Sequence, residues 1–208
     1  MTLHANERDL LWFYSGFTVA ALLALFLPLG SLGLRLCALV VLYNIALPLV
    51  ARWRRHDVWF AAWAFLLPLS ILQVFPDWFL SAQLGVLVFP EVGAPMIGSV
   101  SSFMALMWVI PLFLVLMAGE ATRQRLGTGA GVAAAGAAAL LIFALSETFS
   151  WRIPVWYAQD VSMWQHMALY VLPAELVLGV ATYSGFLLTR GQAFALKLAT
   201  AASIMLMY

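Results

Sequence analysis

The chain has 208 residues, 65% of them hydrophobic and 9% charged, with a formal net charge of +1 and a mean hydropathy of +1.00. So little polar surface cannot cover a soluble domain of this size, which excludes that class and leaves a polytopic, all-α integral membrane bundle. A near-zero net charge provides no field for nucleic acid, and the single cysteine, Cys37, excludes an internal disulfide and a cysteine-built metal cluster.

Measured against a span of about 20 residues, the apolar runs give seven transmembrane helices, at about 10–29, 31–51, 58–75, 101–119, 129–146, 161–188 and 191–208. The first is too long for a cleavable signal core, and its leader sets Arg8 between Glu7 and Asp9, so it reads as an uncleaved helix. Arg52, Arg54 and Arg55 follow the second run, Arg123 and Arg125 the fourth, and Arg190 the sixth. All fall on one face, which the positive-inside rule makes cytoplasmic, with the N-terminus inside. An even number of spans also fits if the seventh run is re-entrant. Arg35 and Lys197 lie just inside their runs, where long side chains snorkel to the interface.

The third run ends at Phe75, Pro76 and Asp77, because proline and its predecessor disfavour continued helix. The outer-face segment at about 76–100 is too apolar for an ordinary loop. Leu80, Leu84, Val88 and Phe89 fall on one side of a short interfacial or re-entrant helix ended by Pro90, a candidate cover for a pocket. In the fifth run, Gly127, Gly129 and Gly131 lack the strand context of a phosphate loop, and its small residues suit close helix packing instead.

At 100° per residue, Trp164, Ala168, Val171 and Glu175 share one face of the sixth helix, while His166 and Pro173 lie nearly opposite. Pro173 would leave the carbonyl of Leu169 without a helical donor and kink the helix. No clean internal repeat is apparent, and residues 1–208 form a single transmembrane domain.

Asp77, Glu91, Glu147, Arg152, Asp160 and His166 collect near the outer face, with Glu175 deeper. Much of the aromatic content at that level suits an ordinary interfacial belt. A carboxylic acid near mid-membrane does not, since a charged side chain there costs about 3 kcal/mol in insertion assays. Of the three histidines, His4 and His56 belong to the inner face and His166 to the outer, without metal-ligand spacing. Neither metal nor cofactor is expected. The remaining chemistry is carboxylic acids beside aromatic rings in an apolar pocket. Burial disfavours the charged carboxylate, so such an acid can protonate an electron-rich alkene, and aromatic faces attract the resulting cation. Glu175 is the candidate proton donor, with Glu147 or Asp77 as its partner or as base, and Trp108, Trp156, Trp164, Tyr170 and Trp78 as candidate substrate-binding residues.

The layout of Leu84 and Gly85, the run Pro95–Val100, Met107 and Trp108, then Glu147, Trp151, Trp156, Tyr170, Pro173, Glu175 and Gly179 resembles membrane carotenoid-biosynthesis proteins of the carotenoid hydratase type. The element Pro173-Ala174-Glu175 is also similar to the Pro-x-Glu helices of small membrane-integral lycopene cyclases, whose second adjacent acid is replaced here by Leu176. Integral-membrane terpene cyclases of meroterpenoid pathways share the size and the reliance on acids. The resemblance implies a cofactor-independent enzyme of isoprenoid metabolism in a bacterial cytoplasmic membrane, cyclising or hydrating a lipid-soluble polyene or prenylated substrate, with no nucleic-acid partner and with a homo-oligomer left open. Two other readings stand beside it. One is a proton-coupled transporter or lipid-binding module with Glu175 as coupling site, and the other a structural subunit of a membrane complex.

Overall fold

The structure is a computed structural model describing residues 5–153 and 155–208, so His4 lies outside the described residues. The chain is an all-α membrane bundle, and among the described residues six helices are long and apolar enough to cross a bilayer. Leucines that face away from the bundle, such as Leu49, Leu141 and Leu188, are exposed in the isolated chain, as lipid-facing residues should be.

Helix α1 (Ala5–Phe26) turns into α2 (Leu32–Trp53), where the Ser31 hydroxyl caps the backbone N–H of Leu34 at 3.3 Å. The Arg35 guanidinium folds back to the α1–α2 turn and donates to the carbonyls of Leu25 (3.2 Å) and Leu27.

Proline does not end the third span. Helix α3 (Asp57–Leu72) passes through Gln73 into α4 (Val74–Trp78) and a π-helical turn at Phe79–Gln83, giving one span over Asp57–Gln83. Pro76 is the third residue of α4, and its missing N–H falls in a first turn where donors need no helical partner. The interfacial helix expected from Leu80 to Phe89 does not form. Gly85, at φ 66°, turns the chain into a short strand, β1 (Leu87–Val88). A two-residue hairpin follows, β2 (Met96–Ile97) with β3 (Val100–Ser101), and then α5 (Met104–Met107) and α6 (Val109–Leu126).

Helix α7 (Thr128–Ser150) returns to the far end, where β4 (Tyr157–Ala158) pairs antiparallel with β1. The sixth span does not begin near residue 161. Residues there form a second hairpin, β5 (Met163–Trp164) with β6 (Met167–Ala168), and α8 covers only Val171–Thr189. Pro173 therefore sits in the first turn of α8, and the expected mid-helix kink is absent. Helix α9 (Phe194–Met207) packs against α3 and α8 and, at 14 residues, is shorter than the six spanning helices.

These elements repeat. From α3 to α6 the order is helix, strand, hairpin, helix, and from α7 to α8 it is the same, with both units starting at the arginine-rich end. The ladder joining them, Leu87 opposite Ala158 and Val88 opposite Tyr157, maps onto itself when β1 and β4 are exchanged, as a local two-fold axis requires. Both hairpins carry a positive φ at their first central residue, Gly98 (61°) and Gln165 (54°), as a right-twisted two-residue turn demands. Sequence comparison alone misses this duplication, because a bilayer accepts almost any apolar residue on a lipid-facing surface and only the turn geometry survives.

Close packing holds α7 and α8 of the second unit together. A Cβ built at Gly179 on α8 would lie 2.4 Å from Cβ of Ala139 on α7, and one at Gly136 would lie 3.0 Å from a methyl of Leu176. The glycine-rich α7 is a packing helix, as its composition suggests. At the arginine-rich end, the buried Glu120 accepts from Arg123 (2.7 and 2.9 Å), Gln124 (3.2 Å), Arg190 (3.2 Å) and the Tyr183 hydroxyl (3.3 Å). Asp9 pairs there with Arg54 (2.8 and 2.9 Å) and His56 (2.9 Å). Replacing Gly179 with leucine should lower the thermal midpoint of the detergent-solubilised protein, an overpacking cost of about 1–3 kcal/mol. Gly129→Ala, with open space around the added methyl, should leave the midpoint unchanged or raise it slightly.

Candidate functional site

Between the two units, toward the end away from the arginines, the helices leave a cavity of about 360 Å³. Its walls are mainly apolar, from Leu80, Leu87, Phe89, Met107, Ile142 and Phe143. That volume sits near the small end of the usual range for ligand sites, which is roughly 300–1,000 Å³.

Three acids line it: Asp77, Glu147 and Glu175. Each arrives on a different helix, and each is held by a neutral N–H or O–H donor. The Trp108 indole N–H donates to Asp77 Oδ2 at 3.3 Å, the Trp156 indole to Glu147 Oε1 at 3.0 Å, and the Tyr208 hydroxyl to Glu175 Oε1 at 2.7 Å. Asp77 and Glu175 are each only 3% exposed. Glu175 Oε2 is buried without a hydrogen-bond partner, which for a polar atom in an apolar wall marks a place for a ligand group. Glu147 and Asp77 lie near enough to act electrostatically on Glu175. At the rim, Tyr170 precedes α8, and burial together with the charges of Glu147, Asp77 and Glu175 pushes its phenol up to about 12, so it remains a neutral hydroxyl.

The duplication orders these groups. Asp77 and Glu147 each stand ten residues ahead of the first residue of their unit's strand, Leu87 and Tyr157. Trp108 and Glu175 each stand seven residues beyond the last strand residue of their hairpin, Ser101 and Ala168. Asp77 and Glu147 are thus equivalent positions, whereas the position filled by an acid in the second unit is filled by an indole in the first. The cavity has near-symmetric walls and an asymmetric floor.

Six of the eight residues singled out from sequence meet here: Asp77, Glu147, Glu175, Trp108, Trp156 and Tyr170. Trp164 does not. It lies in the second hairpin, 65% exposed, because the helix that would have placed it above Glu175 starts seven residues later. Trp78 is also outside the lining. It packs on Phe75 at 5.8 Å and against Gly98 of the first hairpin, where a Cβ would approach its ring to 3.0 Å. His166 stacks on Trp151 at 4.8 Å, away from the acids. Sequence reasoning missed Tyr208 and Phe143, whose ring packs against Trp108 at 5.4 Å. The only signal for Tyr208 is the spacing of Thr200, Ile204 and Tyr208 along one face of the last helix.

Fold and site together define a polytopic membrane protein with an internal, acid-lined apolar chamber built by a duplicated helix–strand–hairpin–helix unit. Residues 74–208 match the family described as domain of unknown function (DUF6989), and the chain belongs to that family. The matched segment opens three residues before Asp77 and closes on Tyr208, so it contains all three acids and their donors. No curated protein and no solved structure matches the chain.

Trp108→Phe keeps an aromatic ring but takes the N–H from a fully enclosed carboxyl group, and should lower stability by about 1–3 kcal/mol in detergent. Trp164→Phe, at an exposed site, should stay within about 0.5 kcal/mol of the parent. Thermal unfolding of both in one detergent checks the contrast.

Proposed function

We propose that the chamber is the active site of a cofactor-independent enzyme of isoprenoid metabolism that starts cyclisation or hydration of a polyene or prenylated lipid by proton transfer. The observation that carries this reading is that Glu175, whose buried Oε2 has no hydrogen-bond partner, lines an apolar chamber together with Trp108. An acid at one of two equivalent positions and an indole at the other place a proton source and a cation-stabilising face on opposite sides of the same space.

The chemistry balances without a co-reactant beyond water. Glu175 gives its proton to one carbon of a terminal double bond, and the electron pair of that bond forms the new C–H bond. The adjacent tertiary carbon becomes cationic and is held by the π faces of Trp108 and Trp156 and the rim phenol of Tyr170. In cyclisation a second double bond supplies the pair for the new C–C bond, and the resulting cation loses a neighbouring proton to Asp77 or Glu147. In hydration, water adds to the cation and the same carboxylates take its proton. Either way the proton returns to Glu175, and the acid is regenerated. Entry from the hydrocarbon phase suits the chamber's apolar wall, and the arginine-rich end faces the cytoplasm of a bacterial cell by the positive-inside rule, which puts the chamber toward the outer half of the membrane.

A general acid contributes about 10²–10⁴-fold to a rate, so Glu175→Gln should lose at least a hundredfold in product formed from polyene or prenylated lipids in membranes, with an unchanged thermal midpoint. Retained turnover would overturn the assignment. One observation favours a second reading: parallel repeats with a site between them also occur in transporters. Reconstituted vesicles separate the two. Solute-dependent proton flux that vanishes in Glu175→Gln, with the solute recovered unaltered, would replace the enzyme by a carrier.

A further inference from the structure

Helix α9 has no counterpart in the duplication, and it brings Tyr208 into the lining of the chamber. Its approach depends on Gly185 of α8, where a Cβ would come within 2.9 Å of both Ile204 and Thr200. Ala201 and Ile204, at 0% and 4% exposed, anchor the same stretch in the core. Tyr208 then touches both equivalent positions at once. Its hydroxyl donates to Glu175 Oε1 at 2.7 Å, and its ring meets Trp108 edge-on at 5.7 Å and 74°. Trp108 in turn donates to Asp77. A single phenol therefore connects the acid of one unit to the indole and acid of the other.

A neutral carboxyl group has one carbonyl oxygen and one hydroxyl oxygen. Donation from Tyr208 to Oε1 favours Oε1 as the carbonyl oxygen and Oε2, which is buried without a hydrogen-bond partner, as the oxygen that carries the proton. Without that donor, no hydrogen bond distinguishes the two oxygens, and the proton would divide between them.

We propose that Tyr208 is a positioning residue that fixes the Glu175 proton on Oε2. This rests on Glu175 being a protonated donor, and the two ideas fail separately. Infrared difference spectra of the full chain in lipid, taken in H₂O and D₂O, test both. A carboxylic-acid C=O band present in the parent and missing in Glu175→Gln belongs to Glu175. In Tyr208→Phe that band should move to higher frequency and broaden, because its carbonyl oxygen has lost a donor. If Tyr208→Phe fails to fold, 3-fluorotyrosine at position 208, a stronger donor, should move the band to lower frequency. A band unmoved by either change would overturn the role of Tyr208 while leaving Glu175 a protonated acid. The absence of any band assignable to Glu175 would overturn both.

Discussion

Two buried carboxyl groups, Asp77 and Glu175, and a half-buried third, Glu147, in one chamber are the constraint on which the rest of this structure depends. Each would be unfavourable there alone, and each is compensated by a neutral N–H or O–H: Trp108 for Asp77, Trp156 for Glu147, and Tyr208 for Glu175. Among the described residues, neither Asp77 nor Glu175 pairs with a basic side chain. The strong ion pairs lie at the other end, where Glu120 and Asp9 gather arginines. That segregation leaves Asp77 and Glu175 with neutral donors rather than a fixed counter-charge, a condition for a group that must exchange a proton with something bound beside it.

The duplicated unit explains how so short a chain builds such a chamber. Two copies of helix–strand–hairpin–helix meet through the β1–β4 ladder, and each sends one acid from the outgoing helix and one residue from the returning helix into the space between. Equivalence at Asp77 and Glu147 keeps the upper walls alike. Divergence at Trp108 and Glu175 gives the site its polarity, and α9, outside the repeat, ties the two divergent positions together through Tyr208.

Much of the candidate site was legible because a carboxylate in an apolar run is costly wherever the chain goes. Glu175 stands out on that ground alone, whereas Asp77 and Glu147, just beyond their apolar runs, stand out only as outer-face acids able to partner it. The errors have one physical origin. Hydropathy averages over a window, and in an apolar chain a hairpin such as Met163–Ala168 reads as helix, since its residues are as apolar as a span. The helical-face arithmetic then placed Trp164 beside Glu175. By sequence, Pro76 reads as a helix end and Pro173 as a mid-helix kink because window averaging also hides where a helix starts, whereas both occupy first turns where proline is tolerated.

The amino-acid sequence by itself determined the membrane-bundle class, the grouping of arginines at one end and the presence of acids at apolar depth, since these follow from solvation, which acts residue by residue. Only the tertiary structure decided which acids meet, that the unit is duplicated, and that Tyr208 rather than a histidine or a second acid holds Glu175. Those facts depend on turn geometry and on the close approach that Gly179 and Gly185 permit, which no single residue's hydropathy encodes.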